Sequence, residues 1–171
     1  MKYFTLAASI LLIGLFTSCQ NQPQSNGQTK VDPYFPLTKW VSIYELGNAN
    51  TVNELKNLGY KYERDFKVGK EQMSIFAYNL TNDGIAEIRV FVGNREGIEL
   101  IRVQFYGNTG SKYYANLLSE VQTNGQLIEK YISSTNVPCQ EWKKEKIRIN
   151  FCEGVENGQK EYIVELLKSA K

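Results

Sequence analysis

The chain has 171 residues and no histidine, which removes Ser-His-Asp and Cys-His catalysis, His-ligated zinc or haem, and the commonest general base at neutral pH. What remains is carboxylate, tyrosine or lysine chemistry. Asp65, Asp83, Glu87, Glu96 and Glu99 offer carboxylates, and glycoside hydrolysis would need two of them about 5 to 9 Å apart across a cleft. Acids on strands and turns are more often solvated, so the reading is a non-enzyme with no catalytic residue, cofactor or metal. Asn82-Asp83-Gly84 lacks the spaced ligands of a calcium loop and reads as a turn. Lys143-Lys144-Glu145-Lys146 with Arg148 is the densest basic patch, and such a rim on a hairpin discourages edge pairing. Eleven tyrosines and two tryptophans are the richer signal, because these side chains give stiff contact area with a polar handle. Tyr34, Phe35, Tyr60, Tyr62 and Tyr113 are the candidate binding surface, whereas Trp142 and Tyr114 are expected inside.

The elements that must position these residues centre on 73–106. Three runs of strand formers are separated by turn formers at 81–84 and 93–97, which predicts an antiparallel meander. Ala86, Ile88, Val90 and Val92 share one face and Glu87 and Arg89 the other; Ile101, Val103 and Phe105 alternate with Arg102 and Gln104. One face is dry and the other mostly wet, so amphipathic helices should cover the dry one. Trp40 to Leu46 leans to helix. Thr51-Val52-Asn53-Glu54 reads as a capping box opening a helix that ends at Gly59, with a strand from Tyr60 to Asp65. Ser111 is placed as the cap of a further helix carrying Tyr114, Leu117, Leu118 and Val121. Extended segments follow over 127–132, 139–143, 146–152 and 161–168, with a turn at 153–158.

The two halves align. Leu55 to Asp65 matches Leu118 to Tyr131, Glu87-Ile88-Arg89-Val90 matches Lys146-Ile147-Arg148-Ile149, and Leu100 to Val103 matches Tyr162 to Glu165. The predicted fold is α+β, an antiparallel sheet with helices on one face, in two tandem helix-plus-four-strand repeats over about 48–107 and 111–168. This plan resembles that of the β-lactamase inhibitor protein and of small bacterial lipoproteins that share it. The resemblance is architectural and covers 31–171.

The start of the chain reads as an address. Lys2 and the apolar run Leu6 to Phe16 form a signal peptide over 1–18, and eleven residues rise only about 16 Å against the roughly 30 Å of a bilayer core. Phe16-Thr17-Ser18-Cys19 resembles the bacterial lipobox, of the looser kind found among lipoproteins of the Bacteroidetes. The resemblance implies cleavage before Cys19, lipid attachment at its sulfur and a cell-envelope location. Gln20, where aspartate would retain a lipoprotein in the inner membrane, favours the outer membrane. Residues 19–30 carry Gln, Asn, Ser and Gly and read as a flexible tether, leaving 31–171 as one domain.

Loss of Lys2 with the signal takes the formal charge from +2 to near +1, which gives nucleic acid no footing as a partner. The expected partners are the membrane, through the anchor at Cys19, and another envelope protein. The functional expectation is a non-catalytic binding lipoprotein of inhibitor or immunity type. A carbohydrate-binding or carbohydrate-processing surface protein and a structural accessory of an outer-membrane assembly are the alternatives. Cys139 and Cys152 form an even pair in an exported chain, and a disulfide is their natural use. If 139–143 and 148–152 pair about a turn at 144–147, Cys139 faces Cys152 and Trp142 faces Ile149, with both cysteines on the wet face.

Overall fold

The computed structural model describes residues 33–80 and 86–168; the expected signal peptide, Cys19 and the tether lie outside them, as does Asp83. The fold is α+β. Two short helices, α1 (Leu37–Glu45) and α2 (Asn48–Asn57), precede strands β1 (Lys61–Val68), β2 (Glu71–Leu80), β3 (Ala86–Arg95) and β4 (Ile98–Tyr106). Helix α3 (Gly107–Asn124) leads into β5 (Gln126–Ile132), β6 (Pro138–Lys144), β7 (Ile147–Glu156) and β8 (Gln159–Lys168). All eight strands join one antiparallel sheet in the order β1-β2-β3-β4-β8-β7-β6-β5. The meander at its head continues across β4 onto β8, the last described strand.

The period-two pattern sets what each face buries. Ile88, Val90 and Val92 of β3, Val103 and Phe105 of β4, Ile149 and Phe151 of β7, and Val164 and Leu166 of β8 turn toward the helices and are buried. Each helix meets them with a stripe at helical spacing: Leu37, Trp40 and Ile43 of α1, Leu55 of α2, and Tyr114, Leu117 and Val121 of α3. Trp142 and Tyr114 are inside, as their patterns predict.

Two helix starts differ from the expectation. Thr51 is no cap: α2 begins at Asn48 after Gly47, whose φ of 74° suits glycine, and the buried Thr51 hydroxyl donates to the Ile43 carbonyl at 2.7 Å. Glu54, freed from the capping role, pairs with Lys39 at 2.9 Å. α3 begins at Gly107, four residues before Ser111, because its first turn packs onto the end of β4; a Cβ on Gly110 would lie 2.9 Å from Phe105 Cβ. The turns follow the sequence more closely. Glu96-Gly97 and Asn157-Gly158 close two-residue hairpins with positive φ at both positions, the type I′ geometry that matches strand twist.

Candidate functional site

The five aromatic residues picked out as a surface do not form one. Phe35, Tyr60 and Tyr113 are 8%, 2% and 7% exposed, because α1 folds the lead-in segment down onto the sheet. Trp40 packs against the rings of Phe35 and Tyr60 at 5.3 and 6.4 Å, and its indole N–H donates to Tyr113 Oη at 2.7 Å. Tyr34 is half-buried edge-on to Tyr113 and donates to Glu87. Only Tyr62 is well exposed, and it lies against Phe76 at 5.8 Å. The aromatic signal was core packing, since tyrosines with partners for their hydroxyls bury as readily as phenylalanine.

Two of the candidate acids lie far apart along β3. Glu87 lies at the start of β3 and Glu96 in the turn after its end, roughly 30 Å away at 3.3 Å per residue. Glu96 pairs with Lys70 at 3.5 Å, Asp65 accepts from Ser74 at 2.9 Å, and Glu99 is exposed. Among the described residues no group of His, Cys, Asp or Glu side chains is arranged to hold a metal.

The structure instead builds a site on the sheet face that no helix among the described residues covers. Side chains of β2, β3, β4, β8 and β7 that point away from the helices make this face, and it is not simply wet. Met73, Ile75, Phe91, Leu100 and Leu167 are buried there as a second apolar cluster, with Phe66 packed against it. Beside them lies Glu165, 7% exposed. Its Oε1 accepts from Arg102 Nε at 2.7 Å and Arg95 Nη2 at 3.0 Å, and its Oε2 from Asn150 Nδ2 at 3.3 Å. Burial works against the charge, but the two guanidiniums hold the Glu165 carboxyl below the usual range. Arg95 also pairs with Glu71, and Arg102 lies 5.5 Å over the Phe91 ring. Asn150 Oδ1 is buried with no hydrogen-bond partner among the described residues.

This charged cluster forms one wall of an open cleft of about 520 Å³. Arg95, Arg102 and Glu165 lie on one side, Tyr131 and the β5–β6 loop residues Ser133 to Thr135 on the other, and Ile163 with Cys139 and Cys152 lines it further. The two cysteines are bonded, in the register the sequence implies: Cys139 opposite Cys152 and Trp142 opposite Ile149. They are on the face opposite the helices as expected, yet 4% and 8% exposed, because the loop folds back over that face. Burial, with Glu165, Glu141 and Glu129 nearby, raises the Tyr131 hydroxyl above its ordinary pKa, so it is a neutral donor at the cleft.

A second polar group lies toward the other end of the same face. Tyr106 donates to Glu156 at 2.6 Å and Arg89 pairs with Glu63 at 3.2 Å. Gln104 donates to Glu161 at 2.7 Å, and burial together with Glu156 pushes the Glu161 carboxyl up. The basic hairpin of Lys143 to Lys146 projects at the opposite end, where Arg148 pairs with Glu141 at 3.3 Å. Glu165 was within reach of the sequence: it is the one acid inside the apolar run Tyr162 to Leu167, and such a residue needs partners. Its partners Arg95 and Arg102 come from distant strands and show only once β4 is seen to pair with β8.

No family model, curated protein or solved structure matches the chain.

Proposed function

We propose that this chain is a non-catalytic envelope lipoprotein, anchored through Cys19, that binds another protein with the face of its sheet opposite the described helices, as an inhibitor or immunity-type factor does. The observation that carries the reading is that face itself. One side of an eight-stranded sheet is covered by three helices, and the other keeps a cleft walled by Arg95, Arg102 and Tyr131. Arginine and tyrosine are the residue types that dominate binding energy at interface centres. A carbohydrate platform would want an exposed planar aromatic row; Trp40 and Trp142 are buried instead, so the protein-binding reading has more behind it. The reading of the halves as a tandem repeat rests on their common order, helix then four strands, and on the matched segments of β3 with β7 and of β4 with β8. An outer-membrane location rests on Gln20 after the lipobox.

Affinity capture from envelope extracts tests the reading when run with a cleft variant. Ser134 is exposed on the cleft rim, so Ser134→Arg should block the face without disturbing the core. A protein retained by the wild type and lost with Ser134→Arg supports the proposal. Consistent absence of any specifically retained protein, or retention that ignores Ser134→Arg, sinks it.

A further inference from the structure

The two edges of the sheet are built differently. β1 carries Lys61, Glu63, Arg64, Asp65 and Lys67 and shifts register between Tyr62 and Arg64; charge and bulges of this kind discourage pairing with another chain. β5, at the other edge, pairs among the described residues with β6 alone, and apart from Tyr131 its residues are exposed. Leu127, Ile128 and Ile132 are 40%, 48% and 62% exposed. β5 has one register shift, between Leu127 and Glu129, which leaves 129–132 as a regular stretch.

The direction of the unpaired backbone groups follows from the register. Cys139 and Cys152 face each other with Cα atoms 4.1 Å apart, the short spacing of an antiparallel pair that exchanges no hydrogen bonds. Cys139 therefore turns its N–H and C=O toward β5 and its partner there, Tyr131. By alternation, Lys130 and Ile132 turn theirs outward from the sheet. Beside this edge is a hollow of about 300 Å³, lined by Lys130 and Ile132 together with Tyr114, Gln140 and Phe151.

We infer that β5 is a strand-addition site for an extended segment of a partner polypeptide. The segment pairs with the outward groups of Lys130 and Ile132, sets an acidic side chain opposite Lys130, and lodges an apolar side chain in the hollow. Main-chain bonds supply affinity in this mode and pockets for alternate side chains supply specificity. A second copy of the chain fits less well. Two-fold pairing about β5 puts Glu129 against Glu129 or Lys130 against Lys130, and like charges directly opposite are destabilising. Centring on Tyr131 avoids this but leaves only 130–132 of each β5 in the shared ladder. The hollow shares Tyr131 and Cys139 with the cleft on the sheet face, but Lys130 and Ile132 line the hollow and not the cleft, so variants at Lys130 and at Ser134 test the two proposals apart.

The test is an amide NMR titration of the protein with two capped heptapeptides of alternating valine and threonine, one with aspartate at its centre and one with lysine. The aspartate peptide should shift the Lys130 and Ile132 signals and bind roughly tenfold tighter than the lysine peptide. Lys130→Pro removes an outward N–H and no inward one, and should abolish the shifts while the remaining spectrum is kept. Lys130→Glu leaves every backbone group in place and should reverse the preference toward the lysine peptide. Absence of β5 shifts with both peptides, equal binding, or an unchanged preference in Lys130→Glu overturns the proposal. Self-association that Lys130→Pro or Lys130→Glu alters, without peptide binding, assigns the edge to a second copy and overturns it as well.

Discussion

Glu165 and Glu161 share the open face of one strand, with Ile163 between them, and are tuned in opposite directions. Glu165 is stabilised as an anion by Arg102 and Arg95, while Glu161 has burial and Glu156 raising it. Glu165→Gln leaves two arginines without their shared acid, and breaking a buried pair from one side should cost roughly 3 kcal/mol. Because its folded pKa is lowered, the contribution of Glu165 is complete above the unfolded carboxylate value, about 4.3. It is then lost as pH falls through the lower folded value. Glu161 is the mirror case: its raised pKa makes ionisation costly as pH climbs from the unfolded value through the folded one, so Glu161→Gln should stabilise at neutral pH. Urea unfolding at pH 7 and pH 3 checks both. Glu165→Gln should be clearly weaker than wild type at pH 7, with the gap shrinking at pH 3; a gap independent of pH would mean that shape rather than charge holds the cluster. Alternation alone could not reveal this group, since it marks which face a residue takes but not how strands distant in sequence crowd it.

Elements were legible where two-residue periodicity and turn residues agreed. The β6–β7 hairpin is the best case, because its register follows from Trp142 and Ile149 both needing the core, and the cysteines then face each other. The disulfide closes a loop across the hairpin, with a sequence separation of 13, which should stabilise the fold by about 3 kcal/mol in the chain-entropy model. The double variant Cys139→Ser, Cys152→Ser should show that loss in denaturant unfolding with a steeper slope, since the unfolded chain is no longer cross-linked, and intact-mass analysis of the wild type should find Cys139 and Cys152 unalkylated without reductant. Two alkylated thiols in the unreduced sample would refute the bridge. Helix starts were less legible, because Thr51 has the residue type of a cap but lies one turn before the buried Leu55, on the inward face of α2, where its hydroxyl turns to the Ile43 carbonyl. The aromatics failed for a related reason: composition says that a tyrosine needs a partner for its hydroxyl, not whether that partner is water or another buried group.

Across the whole molecule, the proposed lipoprotein reading makes the lipid at Cys19 the sole means of membrane attachment. Among the described residues no helix is long and apolar enough to cross a bilayer, and a formal charge near +1 without the signal gives little attraction to an anionic surface. Cys19→Ala should therefore move the protein from the membrane fraction to the soluble one; retention without acylation would defeat the lipoprotein reading. The sheet order carries a consequence for how the protein is made. β8 follows the other seven strands in the chain, yet it lies between β4 and β7 in the middle of the sheet. Until it emerges, β4 and β7 each have an open inner edge, and Arg95 and Arg102 lack their shared carboxylate. The two halves then exist as separate small sheets whose unpaired strands are open to wrong partners. Vectorial synthesis thus delivers the keystone after the other seven described strands: until then the growing chain is open to mispairing, and one strand's arrival joins the sheet and completes the buried charge cluster in the same event.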